Sequence, residues 1–460
     1  METNQVNNKH VEYEYYSELW NESEDFCRGE KSVKTSPYSE AYLPNPNTNL
    51  SDPNRLPDYQ VFKNEAPFLG FAGRTLKASA ATINRKNPET ADISERLQYL
   101  VNNINGGGLT LAQQTAKALT EVAKKARFGL LTELPIAEGE LSLADNENGM
   151  LPTIQGYSAE SIINWDVKDG KLSLVVLAES VKKEDELFSQ EYKTQYRVLL
   201  IEDGVYKQRL YNNEDDLTYF EEIQVSFNGQ SFDYIPFDFI GADNNDPTCD
   251  EPPMQEIVTL NRDHYRVSAK DMNIINATSM VMTAISAHLD DDEIKRRFPN
   301  GISFGRSGYF FPEGTKVEVI QARDTNSASN KAKEIVNDAI SLGAKLVRAQ
   351  AQETATAAQI AENSDNVIIV QCAKNVEAAY NNQLANIALV LGDTNENKII
   401  MNKDTGMNTL TAQERKAWQE DVVLGYVSLD DYQKRLRMAG ELEEEIDSND
   451  LAIGLADANE

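Results

Sequence analysis

Histidine and cysteine are both scarce, with three of each in 460 residues. Cys27, Cys249 and Cys372 are odd in number and follow no metal-ligand spacing. That argues against a disulfide framework and against a zinc module, and reads as three reduced thiols. His10, His264 and His288 fall in no HExxH pattern, and a Ser-His-Asp or Cys-His mechanism needs a positioned imidazole. His264 sits beside Tyr265, one turn after Asn261, where a structural place is the plainer reading and a general base the sharper one. No apolar run reaches ~18 residues, so no transmembrane helix is predicted. The opening stretch METNQVNNKHVEYEYYSELW lacks the basic start and apolar core of a secretory signal. The expectation is a protein that stays in the cytosol where it is made. No GxxxxGK[ST] loop is present, which excludes a P-loop ATPase, and Gly301, Gly305 and Gly308 miss the GxGxxG spacing and read as turns. No cofactor is expected.

Positive charge is short as well. Lys and Arg number 44 against 74 Asp and Glu, a net charge of -30. Tight nucleic-acid binding rests on cations that neutralise phosphates. Either the chain has nothing to do with nucleic acid, or DNA must pass over it without sticking, where an acidic surface helps. Composition alone leaves both open.

Local signals are plentiful. Residues 1–60 read as an arm, broken by Pro37, Pro44, Pro46, Pro53 and Pro57, although Tyr13, Tyr15, Tyr16, Trp20 and Phe26 imply that part of it docks on something. Helices are predicted over 67–84 and 92–104. Thr110 with Gln113 forms a capping box that opens a helix to about Arg127. Strand-like runs follow at Phe128–Glu133, Ser161–Val167, Leu172–Ala178, Tyr196–Glu202, Val205–Tyr211, Ile223–Phe227 and Ile235–Ile240. Asp169-Gly170 and Asp203-Gly204 mark hairpins between neighbours. Pro252-Pro253 starts a long helix whose pattern extends toward His288, a rod of roughly 50 Å. Short strands are predicted at Gly308–Phe311 and Val317–Gln321. Residues 322–332 read as a small polar loop before a helix over 333–350. A long helix runs from about Thr354 to Leu391, with Val367, Ile368, Val376, Tyr380, Leu384 and Ile387 in phase. After a strand at Lys398–Asn402, capping boxes at Thr411/Glu414 and Ser428/Asp431 open a helical pair. The last twenty residues hold eight carboxylates and no Lys or Arg, a solvated tail.

Two clusters invite chemistry. Asp290, Asp291, Asp292 and Glu293 could suggest a metal-dependent nuclease or nucleotidyl transferase, but consecutive helical residues point different ways and a solvated helix end is the plainer reading. In the 322–332 loop, Arg323 and Lys331, with Lys333 beyond, stand among Asn326, Ser329 and Asn330. Such groups meet phosphate without reading bases. An ordinary surface loop is the plainer alternative.

Several segments, in order, resemble the portal protein of tailed bacteriophages, the subunit of the head-to-tail connector. They are Ala66–Pro88 (APFLGFAGRTLKASAATINRKNP), Tyr157–Val167 (YSAESIINWDV), the Tyr196–Tyr211 hairpin, Ile235-Pro236-Phe237, Pro252–Lys270 (PPMQEIVTLNRDHYRVSAK), Leu342-Gly343-Ala344 with Glu353–Ser364 (ETATAAQIAENS), and Gly425–Leu442 (GYVSLDDYQKRLRMAGEL). The specificity lies in the ordered set, which covers about residues 66–442. The resemblance implies an α+β subunit, portal-like and elongated, with long stem and wing helices, a β-rich section and a C-terminal helical crown.

It implies these divisions: an arm over 1–60, wing over 61–189, clip over 190–251, stem helix over 252–290, wing with a tunnel loop over 291–353, a long helix and wing over 354–410, and a crown with the acidic tail over 411–460. Arg323, Asn326, Ser329, Asn330, Lys331 and Lys333 would face DNA. Arg197, Tyr206, Lys207 and Arg209 are the clip candidates. The implied partners are copies of itself in a dodecameric ring, double-stranded DNA, the terminase large subunit, and capsid and tail or adaptor proteins, with no membrane. The implied place is the capsid vertex of a virion made in a bacterial host cytoplasm. The ring would be a conduit and not an enzyme. An acidic capsid scaffold, a further alternative, sits badly with the β-rich section at 128–245.

Overall fold

No proline or glycine falls between Val11 and Arg28, and in the computed structural model that stretch is one helix, α1. The prolines that suggested an arm all come later, from Pro37 onward. Glu12 and Glu14 in the first turn and Arg28 in the last complement the helix dipole. Trp20 and Phe26 are fully buried and Tyr13 nearly so, whereas Tyr15 is exposed. The structure describes residues 5–46, 56–135, 151–182, 191–212, 219–224, 226–227, 230–279, 282–286, 290–297, 314–320, 326–343, 355–403 and 412–438.

After α1 come α2 (Glu30–Thr35), α3 (Ser39–Tyr42), α4 (Leu56–Glu65), α5 (Phe71–Asn84), β1 (Glu89–Ala91), α6 (Tyr99–Asn102) and α7 (Leu111–Lys125). The strands β2 (Arg127–Glu133), β3 (Thr153–Ser158), β4 (Ile162–Lys168), β5 (Lys171–Lys182), β6 (Tyr192–Glu202), β7 (Val205–Tyr211), β8 (Glu221–Gln224) and β9 (Phe237–Gly241) follow. The remainder is α8 (Gln255–Ser279), β10 (Met282–Ser286), α9 (Asp291–Arg297), β11 (Lys316–Ile320), α10 (Ser327–Ser341), α11 (Ala355–Leu391), β12 (Lys398–Ile400), α12 (Ala412–Val423) and α13 (Leu429–Met438). The class is α+β, with antiparallel sheets throughout the described residues.

The chain divides into two units. The first comprises residues 1–27, 71–258 and 342–460. Its centre is the sheet β3-β2-β9, on which α11 and α7 pack. The middle strand β2 is buried along almost its whole length. A side chain at Gly129 would run into the Phe237 ring and the Ile162 δ-methyl, so only glycine fits that close approach. α11 is stitched to this sheet by polar side chains. Gln383 Nε2 donates to Asp238 Oδ2 at 2.6 Å, Thr132 Oγ1 donates to Gln383 Oε1 at 2.6 Å, and Asn375 Nδ2 donates to the Gly241 and Ala242 carbonyls at 3.0 Å. These bonds satisfy polar groups that burial would otherwise penalise.

A second sheet in the same unit is a five-stranded meander, β4-β5-β6-β7-β8. Asp169 and Asp203 take φ of 52° and 54°, and Gly170 and Gly204 follow at 75° and 77°. Two consecutive left-handed residues are what a tight two-residue hairpin demands, and both Asp-Gly pairs are such turns. The stretch 157–167 is not one strand. A 3-10 turn at Ala159–Ser161 separates the end of β3 from β4 and sends the chain from one sheet to the other. The helix expected over 92–104 shrinks to α6, because the Ser94 amide is taken by Asn397 Oδ1 at 2.8 Å. β1 pairs with β12, a contact no local signal announces.

The second unit comprises residues 28–70 and 259–341. Here the segment ending in α4 clasps α8. Arg266 donates to the Tyr42 and Ala41 carbonyls at 2.8 and 2.6 Å, Asn261 Nδ2 to the Leu69 carbonyl at 2.9 Å, and the Tyr265 ring meets Phe68 edge-on at 5.7 Å. α8 stops at Ser279, short of 290, and β10 follows. The Thr278 and Ser279 hydroxyls donate back to the Ile274 and Ile275 carbonyls, competing with continued helix. His288, the strand expected at 308–311 and the cap at Thr411 lie outside the described residues.

Candidate assembly and nucleic-acid surfaces

The hairpin β6–β7 positions all four residues proposed for the clip, and alternation along the strands decides what each can touch. On β7, Tyr206, Gln208 and Leu210 point inward and Lys207, Arg209 and Tyr211 are half-buried. Tyr206 is wholly buried, and its hydroxyl accepts from Gln208 Nε2 at 2.8 Å. Arg197 Nε meets Glu179 Oε1 at 2.7 Å, while Nη1 reaches Glu133 Oε1 at 3.2 Å and Gln208 Oε1 at 2.8 Å. Burial by itself would lower the Arg197 pKa, but Glu179 and Glu133 outweigh it and hold the guanidinium charged. Tyr206 is therefore an internal strut of the sheet, whereas Arg197 is half-buried and held by Glu179 and Glu133.

Lys207 and Arg209 lie on the other face and are neutralised there. Lys207 Nζ is 2.7 Å from Glu202 Oε2. Arg209 Nη2 is 2.7 Å from the same oxygen, and its Nε is 2.6 Å from Glu222 Oε2. Hydrogen bonding within the group raises the pKa of both cations and lowers that of both carboxylates. Arg209 also stands 5.0 Å over the Tyr219 ring. A phosphate approaching this face would compete with carboxylates already in place.

Four of the six tunnel-segment residues are not on a loop. α10 begins at Ser327 rather than at 333, so Ser329, Asn330, Lys331 and Lys333 are helical. The burial of Ile335 and Ala339, one turn apart, anchors this helix, and the small polar residues ahead of them suit its first turn. Asn326 has φ 54°, and its carbonyl accepts from the Asn330 amide at 2.9 Å, which starts the helix. Lys331 and Lys333 are exposed, and Lys331 Nζ is 2.9 Å from Glu334 Oε1. Arg323 lies outside the described residues.

The acidic run near 290 has a local task. Asp290 Oδ1 accepts from the Glu293 amide at 2.7 Å and so caps α9. Glu293 reaches Arg296 at 3.8 Å. Among the described residues, no three His, Cys, Asp or Glu side chains are grouped to hold a metal ion. His264 is buried on α8 with Ser268 Oγ 3.3 Å from its Nδ1, and burial lowers its pKa.

Two buried ionic features escaped sequence reasoning. Lys124 and Lys125, at the end of α7, are gathered by Glu24 of α1, Glu121 of α7 and Glu160 of the 3-10 turn at 2.5–3.2 Å. Next to them, Arg127 is 1% exposed, with its guanidinium 4.5 Å from the Trp165 ring and 3.9 Å from the Phe239 ring. Its Nη1 donates to the Thr248 carbonyl at 2.9 Å. The run Ala-Lys-Lys-Ala-Arg at 123–127, leading into an apolar strand, was the available signal.

Residues 253–389 match the family model of a domain of unknown function, DUF4055, a span from just ahead of α8 into α11 and less than half of the chain. No curated protein matches the chain. Among solved structures, the neck of an empty GTA particle, computed with C6 symmetry, is similar at 13% identity and a TM-score of 0.43. That match covers 80% of this chain and 89% of that one. The neck of a native GTA particle, computed with C12 symmetry, is similar at 13% identity and a TM-score of 0.40, covering 80% of this chain and 91% of that one.

Proposed function

We propose that this chain is a portal-type subunit of a phage head-to-tail connector. Twelve copies close into a ring around a DNA channel at one capsid vertex. A separate terminase motor drives the genome inward, and tail or adaptor proteins attach on the outer side. The observation that carries this reading is the order of segments. An Asp-Gly hairpin (β6–β7), a buried Ile235-Pro236 ahead of β9, Pro252-Pro253 and the long α8 succeed one another as they do in the resemblance drawn from sequence. The clip is assigned to 190–251, the stem to α8, the DNA-facing segment to the start of α10, and the crown to α12–α13.

The electrostatics support a conduit. The net charge of -30 repels a polyanion, and Arg197, Lys207 and Arg209 of the β6–β7 hairpin are already paired with carboxylates. Few fixed cations are left there to arrest phosphates in transit. The test is negative-stain electron microscopy of the purified chain with its mass from light scattering. Closed rings with a central hole are the expected result, and a monomer at every concentration overturns the proposal.

A further inference from the structure

Copies that carry a charge of -30 repel one another, so a ring built from them needs a surface where opposite charges meet. Two helices of the first unit present such surfaces. On α5 the exposed positions are Arg74, Lys77 and Ala81, and the helix contains no carboxylate. On α1 the exposed positions ahead of its last residue are Val11, Glu14, Tyr15 and Glu18, an i, i+3, i+4, i+7 stripe. Among the described residues, none of these four charged side chains takes part in an ion pair. Val11 and Tyr15, one turn apart, are 79% and 70% exposed.

We infer that the solvent face of α1 in one copy docks on the solvent face of α5 in the next. Glu14 and Glu18 would face Arg74 and Lys77, with Val11 and Tyr15 closing over Ala81. The inference rests on the ring reading above and names the contact that closes it. The spacings agree. Glu14 and Glu18 are separated by about 6 Å along their axis and Arg74 and Lys77 by about 4.5 Å, at 1.5 Å per residue, so both pairs form at once. Ala81 is small enough for the helices to reach ordinary packing distance, about 8–10 Å. Tyr15 supplies the aromatic anchor that interface centres favour. Two different patches that pair in this way give a head-to-tail contact, the kind that closes into rings. DNA phosphates are the competing partner for α5, but they leave the acidic and apolar stripe on α1 unexplained.

The test reverses charge on each face of the full chain. Arg74→Glu with Lys77→Glu, and separately Glu14→Lys with Glu18→Lys, are expected to drop the mass from ring to monomer at about 0.15 M salt, where exposed charges beyond ~8 Å are screened but contacts are not. Circular dichroism melts should stay at the wild-type position, since all four sites are exposed. Combining both sets in one chain is expected to restore rings. Rings that persist in either reversed variant overturn the inference alone. So does failure of the combined chain to reassemble, or loss of DNA retention in the α5 variant with its rings intact. A wild-type chain that never forms rings overturns the portal reading and this contact with it.

Discussion

Lys125 Nζ lies 2.5 Å from Glu160 Oε1 and 2.9 Å from Glu24 Oε2, so a single buried ammonium ties the 3-10 turn between the sheets to the N-terminal helix. Burial disfavours its charge, but Glu160 and Glu121 outweigh burial and raise its pKa. The group holds three half-buried carboxylates against two buried ammoniums, so removing a cation leaves their mutual repulsion uncompensated. Lys125→Met is expected to cost about 3–5 kcal/mol in urea unfolding at neutral pH. Glu160→Gln, at a site 34% exposed, should cost nearer 1 kcal/mol. Equal losses in the two variants would contradict this arrangement.

The same cluster sets a pH dependence. Burial would raise the Glu24 pKa, but hydrogen bonds from Lys124 and Lys125 prevail and bring it to about 2 from an ordinary 4.5. A depressed carboxylate stabilises the fold above its unfolded pKa and loses that contribution as pH falls toward the folded one. Stability should therefore decline between pH 4.5 and about 2 by something on the order of 2–3 kcal/mol from this group. Lys125 titrates at the other end of the scale and does not enter that window. Glu24→Gln should be less stable at neutral pH and show a flatter acid limb in denaturant midpoints taken across the range.

Gly129 marks where β2 passes beneath Phe237 and Ile162. Gly129→Val puts branched carbon where two side chains already touch, and is expected to destabilise by about 2–3 kcal/mol through overpacking. Thermal melts would show it. Gly129→Val with Phe237→Leu should recover part of the loss, because the ring is the nearer obstacle.

Lys331 and Lys333 are exposed on the first turns of α10. Replacing both with alanine should leave ring mass and melting unchanged, since alanine is at least as good a helix former. Under the proposed function, packaging or retention of DNA should fall. Normal packaging by the double variant would move the DNA-facing segment elsewhere.

Asp290 Oδ1 caps the first turn of α9. Asp290→Ala should cost about 1 kcal/mol of local stability, visible as faster amide exchange at the start of α9. Adding Mg²⁺ to the wild-type chain with DNA should yield no cleavage, and cleavage lost on Asp290→Ala would revive the nuclease alternative.

What the sequence determined by itself was local. The Thr110–Gln113 capping box forms as read, both Asp-Gly hairpins adopt two left-handed residues, and α11 ends at Leu391. Each of these depends on groups within four residues, where one turn or one hydrogen bond settles the conformation. The tertiary structure decided what lies beyond that range. It placed Tyr206 inside, left Val367 and Ile368 exposed at 68% and 51% while Val376, Tyr380 and Leu384, read as in phase with them, are buried, and paired β1 with β12 across the chain. It also drew Glu24, Lys125 and Glu160 together from three separate elements. Periodicity says which residues share a face but not what covers that face, and burial, pKa and ion pairing all follow from the cover.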